Sequence, residues 1–530
     1  MTKIINNFLN YYKEKKPIWF PVIFGIVFAL FLPPFNNLLH PAFVFFPLLS
    51  FFICIPLFII SSNHSVKQSI FYSYIFGIFA SAAQYYWIAF VVPEGLWHLI
   101  LIGVILICLF EALYFLLFSL LFRISIKTFN SFYIILFPCF WVLLEYERSL
   151  GDISFPWNLI GYSLTPILPL SQLASITGVY GLSFIVVLGN TLVFNFLTKN
   201  NKKSFYGLFV FILFIISFSV WGYLRIKSAS FDNSKSVKIA AIQCNLDQNR
   251  WHNYSLDTSI MIIDSLINQA VKENPEIIIL PESAFLCYIL RQPLVAEKVR
   301  SIARMFKISM IFGSLHWEKA PKGFSDDYLV YNTAFYINPN NLEFEKYYKM
   351  KLVPFSEALP FEGIFPILSR VNLGQADFKK GKEHVIFNIG NFIKAGPFIC
   401  YEIIYPSLVR ERVKRGANLL VNITNDGWFG KTSGAFQHAT MAQLRCIENG
   451  VSLVRAANTG ITMLVDQYGR IIEKKKIYTR TYLCGNLFIQ KIPTIYSLLG
   501  DWPIWISSII VIISFILFII KKIKKNSFSG

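Results

Sequence analysis

Two stretches decide how this chain is read: Ile277-Ile278-Ile279-Leu280-Pro281-Glu282-Ser283 and Ala395-Gly396-Pro397-Phe398-Ile399-Cys400-Tyr401-Glu402. Each is a short apolar run that stops on a side chain with chemistry, Glu282 in the first and Cys400 in the second. Such runs read as buried strands, and open α/β sheets place their chemistry at strand ends. Between them, Tyr348-Lys349-Met350-Lys351-Leu352 sets Lys349 in a comparable apolar context.

Outward from these runs, the segment from Ser236 to about Leu487 alternates β-type and amphipathic helical runs, which predicts an α/β domain. Strands are expected at Val237–Cys244, Glu276–Leu280, Ile308–Phe312, Tyr328–Ile337, His384–Phe387, Ile393–Cys400, Asn418–Ile423, Val451–Ala456 and Thr462–Asp466. Helices are expected at Ser255–Glu273, Pro293–Met305, Pro406–Arg415 and Phe436–Asn449. Leu352–Gly374 mixes prolines with Phe355, Phe361 and Phe365 and has no clean period, so it reads as a long loop too apolar for disorder.

The rest of the chain belongs to a different solvent. With 530 residues, 55% of them hydrophobic, and a mean hydropathy of +0.52, it is too apolar for an ordinary soluble protein. Apolar spans recur at roughly 18–35, 42–60, 70–92, 97–121, 131–148, 173–197, 205–223 and 503–520, eight in all. The first span continues into Leu32-Pro33-Pro34-Phe35 and is followed by others, so it reads as an anchor rather than a cleaved signal. Lys3, Lys13, Lys15 and Lys16, then Lys67, Arg123, Lys127, Lys199, Lys202, Lys203 and Lys521, Lys522, Lys524 and Lys525 flank alternate span ends. Basic flanks stay cytoplasmic, which puts both termini inside and the polar segment outside, periplasmic in a Gram-negative cell. Gly151–Ser171, with Asp152, Pro156, Trp157 and Asn158, is too polar for a span and reads as an interfacial or re-entrant piece on the outer side.

These flanks supply much of the net charge of +19, and no recognition motif accompanies them, so nucleic acid is not an expected partner. Of eight cysteines, Cys54, Cys108 and Cys139 fall within spans, and the other five are odd in number, so at least one outer thiol is free. No His/Cys spacing suits zinc and no glycine-rich phosphate loop precedes a helix, so no metal or other cofactor is expected. A transporter would carry ionisable residues along a path through its spans. Glu145 lies near a span end and Glu111 is alone, which favours a packed polar group with a partner in the bundle.

A cysteine becomes nucleophilic beside a base, a cation or a helix N-terminus. Cys400 has candidates for each in Glu282, Lys349 and the helix starting near Pro406. Taken singly, a buried cysteine packs, a lysine is solvated and a glutamate starts a helix. Three such residues in recognisable phrases, in this order, point instead to one site.

Leu280-Pro281-Glu282-Ser283, Tyr348 to Glu357, and Cys400-Tyr401-Glu402 resemble the nitrilase superfamily. With the flanking spans, Phe155-Pro156-Trp157, Asn425-Asp426-Gly427-Trp428-Phe429-Gly430 and Arg455 to Ile461, the chain is similar over nearly its whole length to the membrane-bound apolipoprotein N-acyltransferase family. That resemblance implies a multi-pass helical membrane domain of about eight helices and an α/β, nitrilase-like α-β-β-α sandwich. The expected divisions are a bundle of about seven helices at 1–227, an extracytoplasmic catalytic domain at 228–490, and a last helix with a basic cytoplasmic tail at 491–530.

The resemblance further implies Glu282 as base, Lys349 as oxyanion stabiliser and Cys400 as nucleophile, supported by Glu357 and Glu402. Trp251, Tyr401 and Trp428 would line the substrate entrance, and Leu352–Gly374 and Asp426–Gln437 would be arms over the site at the membrane surface. The implied reaction moves an acyl chain from a phospholipid, with phosphatidylethanolamine the expected donor, to the amine of a diacylglyceryl-cysteine on an apolipoprotein. The expected setting is the bacterial inner membrane, and the expected state a monomer. A membrane-anchored amidase or nitrilase acting on a C–N bond would share the three residues; apolar arms over the cleft favour transfer. Ser356 stands where the family pattern has glycine, which questions local loop geometry only.

Overall fold

The computed structural model describes residues 17–34, 46–91, 97–247, 256–321, 327–361, 364 and 376–527. Each of the eight apolar segments contains helix. They carry α1 (Trp19–Leu30), α2 (Ile55–Asn63), α3 (Val66–Tyr85), α4 (Trp97–Thr128), α5 (Tyr133–Glu147), α6 (Ala174–Lys199), α7 (Lys202–Lys227) and, at the far end of the chain, a helix over Trp502–Ser527. Among the described residues, four helices are long and apolar enough to cross a membrane: α4, α6, α7 and Trp502–Ile520. Of these, α6 is mostly buried, whereas α4, α7 and the last helix expose Ile105, Leu106, Val210, Leu224, Ile509 and Phe515. In water such faces would be costly; in lipid they cost nothing. The protein is a membrane protein.

Helix α6 bends at Gly178, whose φ of +65° and close approach to the Tyr496 ring, 2.5 Å from where a Cβ would lie, exclude other residues. Glu111 of α4 finds a partner inside the bundle, Arg148, at 3.2 Å. The segment 151–171 has no helix long enough to span; Gly151, Asp152 and Ile153 are exposed and most of the rest is buried. It forms short helical turns at Ile160–Leu164 and Leu168–Ser171, with Ser154, Trp157 and Asn158 buried against the polar domain.

Among the described residues the polar domain holds helices α8 (Leu256–Ala270), α9 (Pro293–Phe306), α10 (Pro406–Lys414) and α11 (Ser433–Asn449) and thirteen strands. Strands β1 (Ser236–Gln243), β2 (Ile277–Ile279), β3 (Phe285–Tyr288), β4 (Ser309–Lys319), β5 (Tyr328–Ile337) and β6 (Phe344–Tyr348) form one sheet with β13 (Thr481–Phe488). The other contains β7 (Phe387–Ile389), β8 (Ile393–Ile399), β9 (Leu419–Thr424), β10 (Ser452–Ala457), β11 (Met463–Val465) and β12 (Ile471–Lys474). The orders are β13-β1-β2-β4-β5-β6, with β3 on β4, and β12-β11-β10-β9-β8-β7.

Side chains alternate across each strand, and that alternation builds the layers. Val237, Ile239 and Ala241 of β1 face the second sheet, while Ala240 and Ile242 pack under Ile263 and Ile267 of α8 and Val299 of α9. The sheets meet through β1 on β10 and β5 on β8, and α10 and α11 cover the far face. The result is an α-β-β-α sandwich beside a helical bundle, as the fold expectation had it. Strands β3, β6, β12 and β13 lie beyond those the periodicity predicts, and β4 runs on to Lys319.

Candidate active site

Glu282, Lys349 and Cys400 each follow a strand of the inner layers: Glu282 lies just past β2, Lys349 directly ends β6, and Cys400 directly ends β8. Glu282 can enter its turn because Gly313 of β4 lacks a side chain; a Cβ there would lie 2.7 Å from the Glu282 Cα. Ser283 and Cys400 both adopt positive φ, +50° and +49°. Non-glycine residues held there are strained by about 1–2 kcal/mol each, which an over-determined surrounding must offset.

The structure brings Lys349 between two carboxylates. Its Nζ lies 2.9 and 2.8 Å from the two oxygens of Glu357 and 3.7 Å from Glu282 Oε1. Asn332 Nδ2 donates to both glutamates, at 2.8 Å to Glu282 and 3.0 Å to Glu357. The amides of Asn425 and Val353 complete the shell, each 2.9 Å from Glu282 Oε2 and Glu357 Oε2 respectively. Glu402 does not join this group: it accepts from the Tyr347 hydroxyl and from the amides of Met350, Lys351 and Ile399. It therefore braces the Lys349 turn against the Cys400 strand.

Burial raises the Glu282 carboxyl above its ordinary range; Lys349 opposes this and Glu357 adds to it. Burial alone would lower Lys349, but Glu357, Glu282 and Cys400 together outweigh it and hold the ammonium charged. The Cys400 thiol is pushed well up, by burial first and then by Glu282, with Lys349 and the Thr424 hydroxyl only partly opposing. Cys400 thus rests as a thiol beside a carboxyl of raised proton affinity, an arrangement suited to proton transfer from sulfur during an attack on a carbonyl.

Behind Cys400 lies a second buried group, in which Asp426, expected at the start of an arm over the site, is joined by Arg455 and His438. Asp426 accepts from Arg455 Nη2 at 2.7 Å and from the Thr424 hydroxyl at 2.9 Å. His438 Nδ1 lies 3.0 Å from Asp426 Oδ1, and its Nε2 lies 3.1 Å from the Cys400 carbonyl oxygen. Helix α10 begins beyond a 3-10 turn at Cys400–Ile404, so it is that turn, not the helix near Pro406, that the cysteine heads. Asn332 was legible in principle, being an amide in the middle of an apolar strand.

Tyr401 is buried; its hydroxyl donates to the Ser154 carbonyl at 2.8 Å, and its ring stacks at 6.4 Å on Phe155 and Trp157 of the membrane half. Trp157 donates to Gln437 at 2.7 Å, and Phe429 packs edge-on against Trp87 at 4.7 Å. Trp428 remains partly exposed, as do Phe355 and Phe361 of the first arm. Among the described residues of that arm positive φ falls on Phe355 and Phe361, not on Ser356, so a serine is accommodated there. Trp251, Phe365 and the arm beyond Ile364 lie outside the described residues. Among the described residues no cluster of three or more His, Cys, Asp or Glu is placed to hold a metal.

Comparison with known proteins accounts for both halves. Residues 24–192 match the family profile described as Apolipoprotein N-acyltransferase N-terminal domain, and residues 238–487 that described as Carbon-nitrogen hydrolase. An apolipoprotein N-acyltransferase from Geobacter metallireducens is 33% identical over 85% of this chain and 87% of its own. One from Rickettsia prowazekii is 32% identical over 72% of this chain and 76% of its own. Among solved structures, a carbon-nitrogen hydrolase from Helicobacter pylori is 17% identical over 48% of this chain and 90% of its own, with a TM-score of 0.37. Because the similarity includes the membrane half, an anchored amidase is not favoured. The chain belongs to the apolipoprotein N-acyltransferase family, the acyltransferases built on a carbon-nitrogen hydrolase domain.

Proposed function

We propose that the protein transfers an acyl chain from the sn-1 position of a phospholipid, through a thioester on Cys400, to the N-terminal amine of a diacylglyceryl-cysteine on an apolipoprotein. The observation that carries this is the buried arrangement of Lys349 between Glu357 and Glu282, with Cys400 close enough to feel the charges of Glu282 and Lys349. Glu282 takes the thiol proton as sulfur attacks the ester carbonyl, and the carbonyl electron pair moves to oxygen. Lys349 and a backbone N–H stabilise that oxyanion. When it collapses, Glu282 returns the proton to the departing lysophospholipid alkoxide, leaving a thioester. The amine of the second substrate then attacks, Glu282 accepts its proton, and the Cys400 thiolate leaves and is reprotonated.

Glu357 holds Lys349 in place, and Glu402 fixes the strand ends. Tyr401, Trp428 and Trp251 line the lipid entrance, with apolar arms at the interface. In this reading residues 1–227 are the bundle, 228–490 the periplasmic catalytic domain and 491–530 the last helix and cytoplasmic tail of a monomer in the inner membrane. Phosphatidylethanolamine serves as donor.

Intact-mass measurement of the purified protein with phosphatidylethanolamine tests the proposal. An acyl-sized increase is expected, absent in Cys400→Ala and discharged by a diacylglyceryl-cysteine peptide that becomes N-acylated. Wild-type protein that stays unmodified while hydrolysing a small amide would defeat it.

A further inference from the structure

Two buried donors hold the Cys400 carbonyl: His438 Nε2 at 3.1 Å and Asn422 Nδ2 at 3.4 Å. A carbonyl only accepts, so Nε2 of His438 carries a proton. Its Nδ1 faces Arg455 Nη2 at 3.0 Å and Asp426 Oδ1 at 3.0 Å. Burial and the Arg455 charge lower the basicity of the ring. In the neutral ring Nδ1 accepts from Arg455; a second proton would sit on Nδ1, toward Asp426. Either way Nε2–H still points at Cys400.

That carbonyl is one end of a peptide unit whose other end is the Tyr401 N–H. The unit is trans and planar, so fixing its oxygen fixes the N–H in the opposite direction. Tyr401 is the second residue of the 3-10 turn, where an amide has no acceptor within the turn. Donation into the carbonyl also polarises the unit and strengthens its N–H as a donor.

We infer that His438 is a positioning residue for acyl transfer: it aims and polarises the Tyr401 N–H, so that this amide and Lys349 together receive the oxyanion formed at Cys400. The inference rests on the thioester reading above. His438 gains and loses no proton in the step and does not touch the substrate. The S–C bond forms, the carbonyl pair moves to oxygen, and the proton travels through Glu282. Asp426 and Arg455 act one shell further out, by holding the imidazole.

Two reactions of one thiol separate this role from simple support of the fold. Acylation by a p-nitrophenyl ester passes through an oxyanion; alkylation by iodoacetamide is a displacement that forms none. In the full-length protein, His438→Leu is expected to slow acylation about 5–20-fold, a fraction of the effect of deleting an oxyanion donor outright. Alkylation should stay within about twofold, since thiol access and ionisation are untouched. His438→Gln, whose amide nitrogen reaches the place of Nε2, should restore acylation to within about threefold, whereas His438→Asn, which falls short of it, should not.

Equal loss of acylation and alkylation in His438→Leu, or no loss of acylation, overturns the inference. If the leucine variant does not fold, Gln and Asn variants with equal acylation rates overturn it instead. Failure of the donor reading looks different: wild-type protein acylated by the ester but not by phospholipid, with the variant ratios on the ester still decisive for His438.

Discussion

Two buried ionic groups flank Cys400, and they are built on opposite plans. On one side Glu282 and Glu357 share the single ammonium of Lys349. On the other, Asp426 faces the guanidinium of Arg455 and a histidine whose basicity is lowered. Where two carboxylates compete for one cation, burial prevails at Glu282 and raises its pKa, which leaves a proton that can be moved. At Asp426 burial also pushes upward, but Arg455 and His438 overcome it and hold the carboxyl well below the ordinary range. Residue types that look alike thus differ according to charge count: an unbalanced group is suited to exchanging protons, and a balanced one to holding shape.

The largest expected effects come from the unbalanced group. Cys400→Ala leaves no acyl adduct by mass. Lys349→Met removes the cation proposed to face the oxyanion and should cut single-turnover acylation about 10³-fold. Glu282→Gln preserves the shape but not the base, and a loss of about 10²–10⁴-fold is expected. An acylation rate within tenfold of wild type in Glu282→Gln would move the base elsewhere and erase the contrast between the two groups.

The balanced group should answer in stability. Arg455→Met strands a buried carboxylate, for which about 3–5 kcal/mol is a typical cost, read as a large drop in thermal midpoint. Asp426→Asn combined with Arg455→Met should recover part of it. Lys349→Met should cost less, because two adjacent carboxyls left without a cation can share a proton. Similar midpoints for the two single variants would show that charge count is not what separates the groups.

pH sharpens the same point. The proposed role of Glu282 as base requires it ionised, so acylation should fall as pH drops through its raised pKa, on a limb above the usual glutamate value of about 4.3. Glu357→Gln removes a neighbouring negative charge that raises Glu282 and frees Lys349 to serve it, so the limb should move to lower pH. A limb that moves upward would mean that another group is titrating.

How much of this could be read beforehand follows from where burial leaves a local mark. Strand β2 is buried throughout and β8 from Ala395 onward, so each is a continuous apolar run there, and Glu282 and Cys400 just beyond them stand out. The strands that escaped notice include three sheet edges, β6, β12 and β13, where Glu345, Lys346, Glu473 and Lys474 break the period. β13 pairs with β1 from the opposite end of the domain, a long-range choice no local window contains. His438 was illegible for the same reason: it is an ordinary helical residue until the fold sets it against a carbonyl 38 positions away. Glu357 could be placed beside Lys349 by proximity in sequence, whereas Glu402 needed the geometry to show that it serves the backbone instead.

The smallest expected effect sits on the turn that hangs from the balanced group. Asp426–Phe429 is one 3-10 turn; its first residue is locked by Arg455, Phe429 is pinned between Trp87 and Trp157, and Trp428 projects with 37% of its surface exposed. A rigid base with one free indole suits contact with lipid, where an aromatic ring prefers the interface. Trp428→Ala should raise KM for vesicle-borne phospholipid about fivefold, worth about 1 kcal/mol of lost apolar contact, with kcat and thermal midpoint unchanged. Phe429→Ala should instead lower the midpoint by about 3 kcal/mol of stability, as deletion of a packed aromatic does. If Trp428→Ala lowered kcat as well, the turn would be transmitting motion to Cys400 through Asp426, and the balanced group would be more than a scaffold.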